Sequence, residues 1–342
     1  MTVNHPGTHP DVRADAGDTA EILDVVIVGA GLSGIDAAYR LREQLPEADY
    51  VILERRARVG GTWDLFRYPG VRSDSDIYTL SYPFEPWDRP EALAAGGDIR
   101  DYIEHTAYRH GIHHRIRFGR TVQTADWDSA TDTWTLTVSR EPDESAGEQS
   151  TETYRARFVL FATGYYDYDQ PHAPAFAGID DFTGTVVHPQ HWPEDLDWTG
   201  KRIVVIGSGA TAVSLIPALA PTAAKVTMLQ RSPSYIISMP QKQLLAPALR
   251  RVLPRRAAHM TIRARFAAQT AAIVHVTHRF PRFGRWLVRK NMEKELPADY
   301  PVDVHFNPDY NPWDQRLCMV PDGDLFAHIT EGTVQMVTDH ID

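Results

Sequence analysis

The sequence predicts an α/β protein with two parallel-sheet units, a β-meander and a helical insert. Three observations carry this. Two short apolar runs, Leu23–Val28 and Ile203–Ile206, each lead into a glycine-rich turn and then a helix, the order that builds parallel sheets. Between them, Thr121–Trp127, Thr133–Val138 and Thr153–Phe161 alternate as meander strands do. Residues 241–297 then read as helical and basic. The two strand–glycine–helix units are the only internal repeat.

In chain order, Leu23–Val28 is the first strand, followed by a helix to about Leu45 and a second strand at Tyr50–Leu53. Residues 60–90, dense in Gly, Pro, Trp, Tyr and Asp, are expected as ordered loops with one short helix, and Asp98–His110 as a helix. The meander follows, with Arg140–Thr151 as a polar loop, and Ala162-Thr163-Gly164 ends its last strand. Tyr165–Gly200 is a Pro- and Trp-rich linker. The second unit has strands at Ile203–Ile206 and Val226–Leu229, then the helical insert, a short helix at Leu325–Ile329 and a strand at Val334–Val337. The domains expected are a first nucleotide domain at 21–165 (meander 121–161), a linker at 166–200, and a second nucleotide domain at 201–342 with its insert at 241–297.

The 342 residues are enough for about two domains. With 43% hydrophobic and 23% charged residues, a sizeable core is within reach. The net charge of −10 argues against nucleic acid as a partner. The one cysteine, Cys318, excludes an internal disulfide, fits a reducing, cytoplasmic setting and excludes a dithiol redox mechanism within this chain. Residues 1–20 have neither an apolar core nor a basic lead, so they read as a disordered tail and not a signal peptide. No apolar run approaches about 18 residues; Phe266–Val276 is the nearest and is interrupted by polar residues.

Gly29-Ala30-Gly31-Leu32-Ser33-Gly34 is a G-x-G-x-x-G between a predicted strand and a predicted helix, with Glu54 at the end of the next strand. That context, not the string alone, is the Rossmann dinucleotide signature. Gly29 permits the tight turn. Gly31 lets backbone N–H groups approach a pyrophosphate at the helix N-terminus. Gly34 allows close helix packing, and Glu54 accepts from ribose hydroxyls. Gly60-Gly61-Thr62-Trp63 follows, where glycines would let the chain pass near a cofactor and Trp63 would pack near a flavin ring. This unit suits FAD. The plain alternatives are a ligand-free glycine turn and a core tryptophan.

Gly207-Ser208-Gly209-Ala210-Thr211-Ala212 repeats the pattern with Ala212 in the third small position. Its second strand ends in Gln230-Arg231-Ser232 rather than an acid. An acid would repel a 2′-phosphate, whereas Arg231 pairs with it and Ser232 adds a donor. This unit suits NADP over NAD; the plain alternative is a surface arginine. His188 and His191 in the linker lack further metal-ligand types at suitable spacing, so no metal site is expected.

Phe182-Thr183-Gly184-Thr185-Val186-Val187-His188-Pro189-Gln190-His191-Trp192-Pro193 resembles the F-x-G-x-x-x-H-x-x-x-W-P fingerprint of the Baeyer–Villiger monooxygenases, within the class B flavin monooxygenases. Arg67-Tyr68-Pro69-Gly70, Val71-Arg72-Ser73-Asp74-Ser75-Asp76 and Asn311-Pro312-Trp313-Asp314-Gln315-Arg316-Leu317-Cys318 agree, and the wording is most similar to the ethionamide-activating branch. The resemblance implies that NADPH reduces FAD, that reduced flavin and O2 give a C4a-peroxide, and that this inserts oxygen into a ketone, with sulfides as further substrates. It implies that Arg316 stabilises the peroxide, that Asp74 positions it, and that His188 couples NADP binding to domain movement. Arg231 and Ser232 match the 2′-phosphate contacts. Gln315 departs from the family, where many members have Lys, and so removes one phosphate contact.

Relatives of this kind continue well past the position of Asp342, so a sheet edge and apolar surface are expected to be exposed. Two other readings therefore stand beside ketone oxygenation: a flavin monooxygenase acting on sulfur or nitrogen, and a nucleotide-binding fragment without turnover. From Lys242 to Lys294 there are thirteen Lys or Arg and one acid, Glu293, interleaved with apolar residues. This is either an amphipathic surface for an anionic membrane or partner or, the preferred reading, a solvated helical insert.

Overall fold

The computed structural model describes residues 21–140, 150–243 and 245–341; the expected tail at 1–20 and most of the loop expected at Arg140–Thr151 lie outside them. The first unit contains β1 (Ile22–Val28), α1 (Leu32–Gln44), β2 (Tyr50–Leu53), α2 (Thr62–Leu65), α3 (Ile77–Leu80), α4 (Gly96–Arg109), β3 (Ile116–Arg117), β4 (Arg120–Asp128), β5 (Thr133–Arg140) and β6 (Ser150–Phe161). The second contains β7 (Arg202–Ile206), α5 (Ala210–Leu219), β8 (Lys225–Gln230), β9 (Tyr235–Met239), α6 (Leu245–Val252), α7 (Arg255–Arg279), α8 (Pro281–Glu293), α9 (Val302–His305), β10 (Leu317–Pro321), α10 (Asp324–Thr330) and β11 (Val334–Thr338).

One six-stranded sheet, ordered β3-β2-β1-β6-β5-β4, forms the first unit. The apolar β1 lies between parallel partners β2 and β6, which is why Val26 and Ile27 are buried on both faces. The meander is therefore continuous with this sheet. β6 pairs antiparallel with β5 up to Ala156, and parallel with β1 from Arg155 onward. Beyond Ala156 its other side carries no strand among the described residues, and Phe158, Leu160 and Phe161 are exposed there. The segment at 60–90 holds two short helices, α2 and α3, where one was expected.

The second unit has a parallel sheet, β11-β8-β7, and a separate parallel pair, β10-β9. α5, α10 and both sheets enclose one core around Ile216, Met228, Phe306, Val320 and Phe326.

The insert does not simply lie in solvent. Ile262 and Phe266 of α7 enter the core of the first unit beside Ile77 and Tyr78. Arg263 donates to the carbonyls of Tyr78, Thr79 and Ser81, acceptors that the end of α3 leaves without helical partners. Arg250 binds the carbonyls of Trp87, Asp88 and Arg89, and Arg255 binds the carboxylates of Glu85 and Asp88. α8 returns Val288 and Met292 to the second core. The expectation of a solvated insert thus fails for the face that clamps the two units together. No helix among the described residues is long and apolar enough to cross a membrane.

Candidate functional site

β1 delivers the chain into Gly29, at φ +104°, whose N–H donates to the Leu53 carbonyl at 2.8 Å. A Cβ at Gly29 would stand 2.6 Å from the Ala162 carbonyl oxygen, and one at Gly34 only 1.9 Å from the Gly29 carbonyl oxygen. Gly34 is thus what lets the first turn of α1 close over the loop. Gly31 caps α1 without a side chain, so the N–H groups of that turn stay available to an anion. Gly61, at φ +56°, packs against the same loop: its Cβ would be 3.1 Å from the Gly31 Cα. Thr62 and Trp63 open α2, with Trp63 packed on the first core.

Glu54, only 4% exposed, accepts from the N–H of Ala30 at 2.7 Å and of Arg56 at 2.9 Å. Burial pushes its carboxyl above the ordinary value, against the lowering effect of those two donors. Its observed job is to brace the loop, and each oxygen keeps lone-pair capacity for a further hydroxyl donor.

A strap from residues 64 to 76 crosses to the second unit. Buried Asp64 holds Arg56 and Arg67, and Arg67 reaches on to Glu194 at 2.9 Å. Tyr68 Oη lies 3.1 Å from Ser214 Oγ. Gly70, at φ +77°, passes so close to α5 that a Cβ would be 2.3 Å from the Ser214 carbonyl oxygen. Arg72 pairs with Asp324 and donates to the Val213 carbonyl at 3.1 Å. That carbonyl is vacant because Pro217, inside α5, has no N–H to return to it. The strap ends at half-buried Asp74, whose carboxyl is pushed up by burial and pulled back by Arg72.

From the second unit, the loop before β10 turns at Trp313, φ +75°, and Tyr310 donates to the Arg316 carbonyl at 2.8 Å. Burial pushes the Cys318 thiol up to about 12; Asp74 raises it further and Arg316 opposes. An acid from one unit and a guanidinium from the other therefore both act on one point. Gln315 and Arg316 are exposed.

The second glycine loop repeats the turn in the open. Gly207, at φ +132°, donates to the Leu229 carbonyl at 2.8 Å, and Gly209 caps α5. A Cβ at either would meet nothing within 4 Å. Ala212 is buried. Ser208 Oγ lies 2.9 Å from Ser234 Oγ. Arg231 and Ser232 stand exposed after β8, and no ion pair holds Arg231 among the described residues. The matching loop bonds to Leu53 and Leu229 make Gln230 the counterpart of Glu54. Its amide donates to His305 and Thr338, and its Oε1 is buried without a partner.

In the linker, His188 Nδ1 accepts from the Gln190 N–H at 3.2 Å and caps a single 3₁₀ turn. The buried anchor is Gln190, which donates to the Asp167 carbonyl at 2.6 Å; His191 lies 2.9 Å from the Tyr168 carbonyl. Burial lowers the His188 imidazole. Sequence reasoning singled out His188 and Asp74 but passed over Gln190, Arg67 and Arg72. Their partners lie tens to hundreds of positions away, and only the stretches they belong to gave a signal.

The family profile of pyridine nucleotide-disulphide oxidoreductases matches residues 26–282. The chain is 50% identical over 323 residues to the FAD-containing monooxygenase EthA of Mycobacterium tuberculosis, covering 94% of this chain and 65% of that protein. It is 43% identical over 322 residues to the probable FAD-binding monooxygenase AlmA of an Acinetobacter species, covering 94% and 63%. The polycyclic ketone monooxygenase of Thermothelomyces thermophila shares the fold at a TM-score of 0.75 and 20% identity, covering 96% of this chain and 59% of that one. A steroid monooxygenase bound to NADP superposes at a TM-score of 0.72 and 26% identity, covering 93% and 65%. The chain thus spans less than two thirds of the length of these relatives. The resemblance to flavin monooxygenases and the two-unit α/β fold read from the sequence are both borne out. With Cys318 alone, the chain holds no dithiol pair for the chemistry in the family's title. The chain therefore belongs to the pyridine nucleotide-disulphide oxidoreductase family, with FAD-containing monooxygenases as its relatives.

Proposed function

We propose that this chain is the two-nucleotide core of an FAD-dependent, NADPH- and O2-consuming monooxygenase that inserts oxygen into ketones, with sulfides as a second substrate class, in the cytoplasm. The observation that carries the reading is the walled glycine loop of the first unit, where a Cβ at Gly34 would stand 1.9 Å from the Gly29 carbonyl oxygen and buried Glu54 accepts from the Ala30 N–H at 2.7 Å. A second, open glycine loop followed by exposed Arg231 stands in the other unit.

The residues fit both cofactors. Gly29, Gly34 and Gly61 are hemmed in by backbone too closely for side chains, and with Gly31, which faces Gly61, they form a cradle; Glu54, Thr62, Trp63 and Asp74 complete the set that would hold FAD. Gly207, Gly209 and Ala212, together with exposed Arg231, Ser232 and Gln315, would hold NADP. With no ion pair at Arg231 among the described residues, its fork is left for a 2′-phosphate. When bound, the flavin supplies hydride acceptance and oxygen activation. Arg316 holds a fixed positive charge against the anion that develops on a ketone oxygen, since a guanidinium does not give up its proton. Asp74 positions that guanidinium, and the linker around His188 transmits nucleotide binding between the units.

The exposed side of β6 beyond Ala156 supports a second reading, nucleotide binding without turnover. The test begins with the visible spectrum of the purified chain after incubation with FAD. A yellow protein that oxidises NADPH in response to a cyclic ketone and forms the lactone supports the main reading. There, Arg316→Ala should abolish oxygenation and retain flavin reduction. Flavin binding without ketone turnover but with sulfoxide formation selects sulfur oxygenation. Flavin binding with no product selects the second reading, and a colourless protein that takes up no FAD overturns both enzyme readings.

A further inference from the structure

The chain has sixteen Lys or Arg and no acid between Asp197 and Glu293, although its net charge is −10. On the fold these cations serve different places. Arg250, Arg255 and Arg263 are spent on the first unit, as described above. Arg285 is held by Asn311 and the Asp309 carbonyl, and Arg289 by Glu293 and Asp303. Arg279 and Arg282 instead flank the outer end of the hairpin formed by α7 and α8, which turns at Phe280.

That end is bare and apolar. α7 is exposed or nearly so at every position from Ala267 to Val276. Ile273, Val276, Phe280, Phe283, Trp286 and Leu287 are 38–56% exposed. The buried contact that closes the hairpin is Thr277 against Gly284, where a Cβ would come within 3.0 Å of the Thr277 Cβ. Phe283 and Trp286 stack at 5.6 Å, and the Arg279 guanidinium lies 5.2 Å over the Phe280 ring. Neither Arg279 nor Arg282 meets a carboxylate among the described residues.

A solvated helical face normally mixes both charge signs and few large apolar groups. Here aromatic side chains alternate with unpaired cations and no acid. That chemistry complements a surface that is anionic outside and apolar within. The rest of the molecule, strongly acidic, would be repelled by the same surface, so only this end is free to approach it.

We propose that the outer end of the α7–α8 hairpin docks peripherally on anionic lipid bilayers. Phe280, Phe283, Trp286 and Leu287 enter the headgroup region, and Arg279 and Arg282 pair with lipid phosphates. This holds whatever reaction the chain performs.

The purified chain should sediment with phosphatidylcholine vesicles that contain phosphatidylglycerol at low salt, release at high salt, and bind pure phosphatidylcholine weakly. Arg279→Gln with Arg282→Gln should weaken binding roughly 30-fold, since each cation near an anionic surface contributes about fivefold. Phe283→Ser with Trp286→Ser should also release the chain. Arg251→Gln on α6 with Arg256→Gln at the opposite end of α7, a helix roughly 36 Å long, should leave binding unchanged. All six side chains are exposed, and an unchanged thermal melt confirms folding. A blue shift of tryptophan emission on vesicle addition should vanish in Trp286→Phe. No sedimentation with anionic vesicles at low salt overturns the proposal, as does binding indifferent to both hairpin double variants. So does self-association abolished by those variants without vesicle binding, which would assign the face to a second copy.

Discussion

The two glycine loops have nearly the same string and opposite surroundings. Around Gly29–Gly34 a missing Cβ is matched by backbone: Ala162 at one residue, Gly29 itself at another, and Gly61 facing Gly31. Around Gly207 and Gly209 there is only space. The contrast continues one strand later, where a buried Glu54 braces the first loop and Gln230 turns away from the second toward His305 and Thr338. A walled loop suits a cofactor kept through many turnovers, and an open one suits a cofactor exchanged each time. The pattern G-x-G-x-x-G/A alone does not tell them apart; the packing around it does.

The largest expected difference follows directly. Gly34→Ala places a methyl 1.9 Å from a backbone oxygen that cannot yield. It should destabilise the first unit by about 3 kcal/mol or more and abolish FAD retention. Gly209→Ala, at φ −86° with nothing nearby, should leave the denaturation midpoint almost unchanged. Equal losses in the two variants would mean that the packing contrast has no energetic weight.

The strap that joins the loops comes next. Arg72→Ala removes the partner of Asp324 and leaves the Val213 carbonyl bare, at a cost on the order of 3 kcal/mol. Pro217 is the reason the arginine is needed there. In a Pro217→Ala background the helix regains its own N–H, so the loss from Arg72→Ala should shrink by about 1 kcal/mol. Strict additivity in that double-mutant cycle would show that Arg72 does not act through the Val213 carbonyl.

This difference between neighbouring and distant information also governs what was legible in the sequence. β1, β2, β11 and the helices of the insert follow from local periodicity and sit within a few residues of expectation. The candidate residues Glu54, Asp74, Arg231 and Arg316 were legible because each occupies a set place relative to a loop or a motif. β9 and β10 were not: each is a five-residue run paired, among the described residues, with the other alone, about 80 positions away. β3 is two residues long. The Arg72–Asp324 pair spans 252 positions, and nothing local to Pro217 indicates that the Val213 carbonyl it leaves vacant is filled from the other unit. The docking of α7 on the first unit was hidden because a basic helix reads alike whether its arginines face water or carbonyl oxygens.

At the exposed end of β8, a smaller effect is expected, on cofactor choice rather than stability. Arg231→Gln should leave the melt unchanged, since no ion pair among the described residues is lost, and should weaken NADPH binding by about tenfold or more while sparing NADH. Titration of both nucleotides against the two proteins is the measurement. A parallel loss for NADH would move Arg231 from the 2′-phosphate to a general electrostatic role.

The smallest effect lies at Glu54, and its sign is fixed by burial. The folded-state carboxyl is raised above its ordinary value of 4.5 by desolvation. A group raised on folding stabilises the native state fully below its unfolded value and loses that contribution as pH rises through its folded value. At neutral pH the buried charge is therefore a cost, which protonation relieves. Glu54→Gln does not titrate, so it serves as the reference. Between pH 7 and pH 5, the stability of the unaltered chain relative to Glu54→Gln should shift in the unaltered chain's favour, by less than about 1 kcal/mol. Denaturant midpoints at the two pH values measure this. A shift the other way would mean that the N–H groups of Ala30 and Arg56, rather than burial, set the state of this carboxylate. Glu54 would then brace the first loop at no electrostatic cost, and its difference from Gln230 would lie in hydrogen bonding alone.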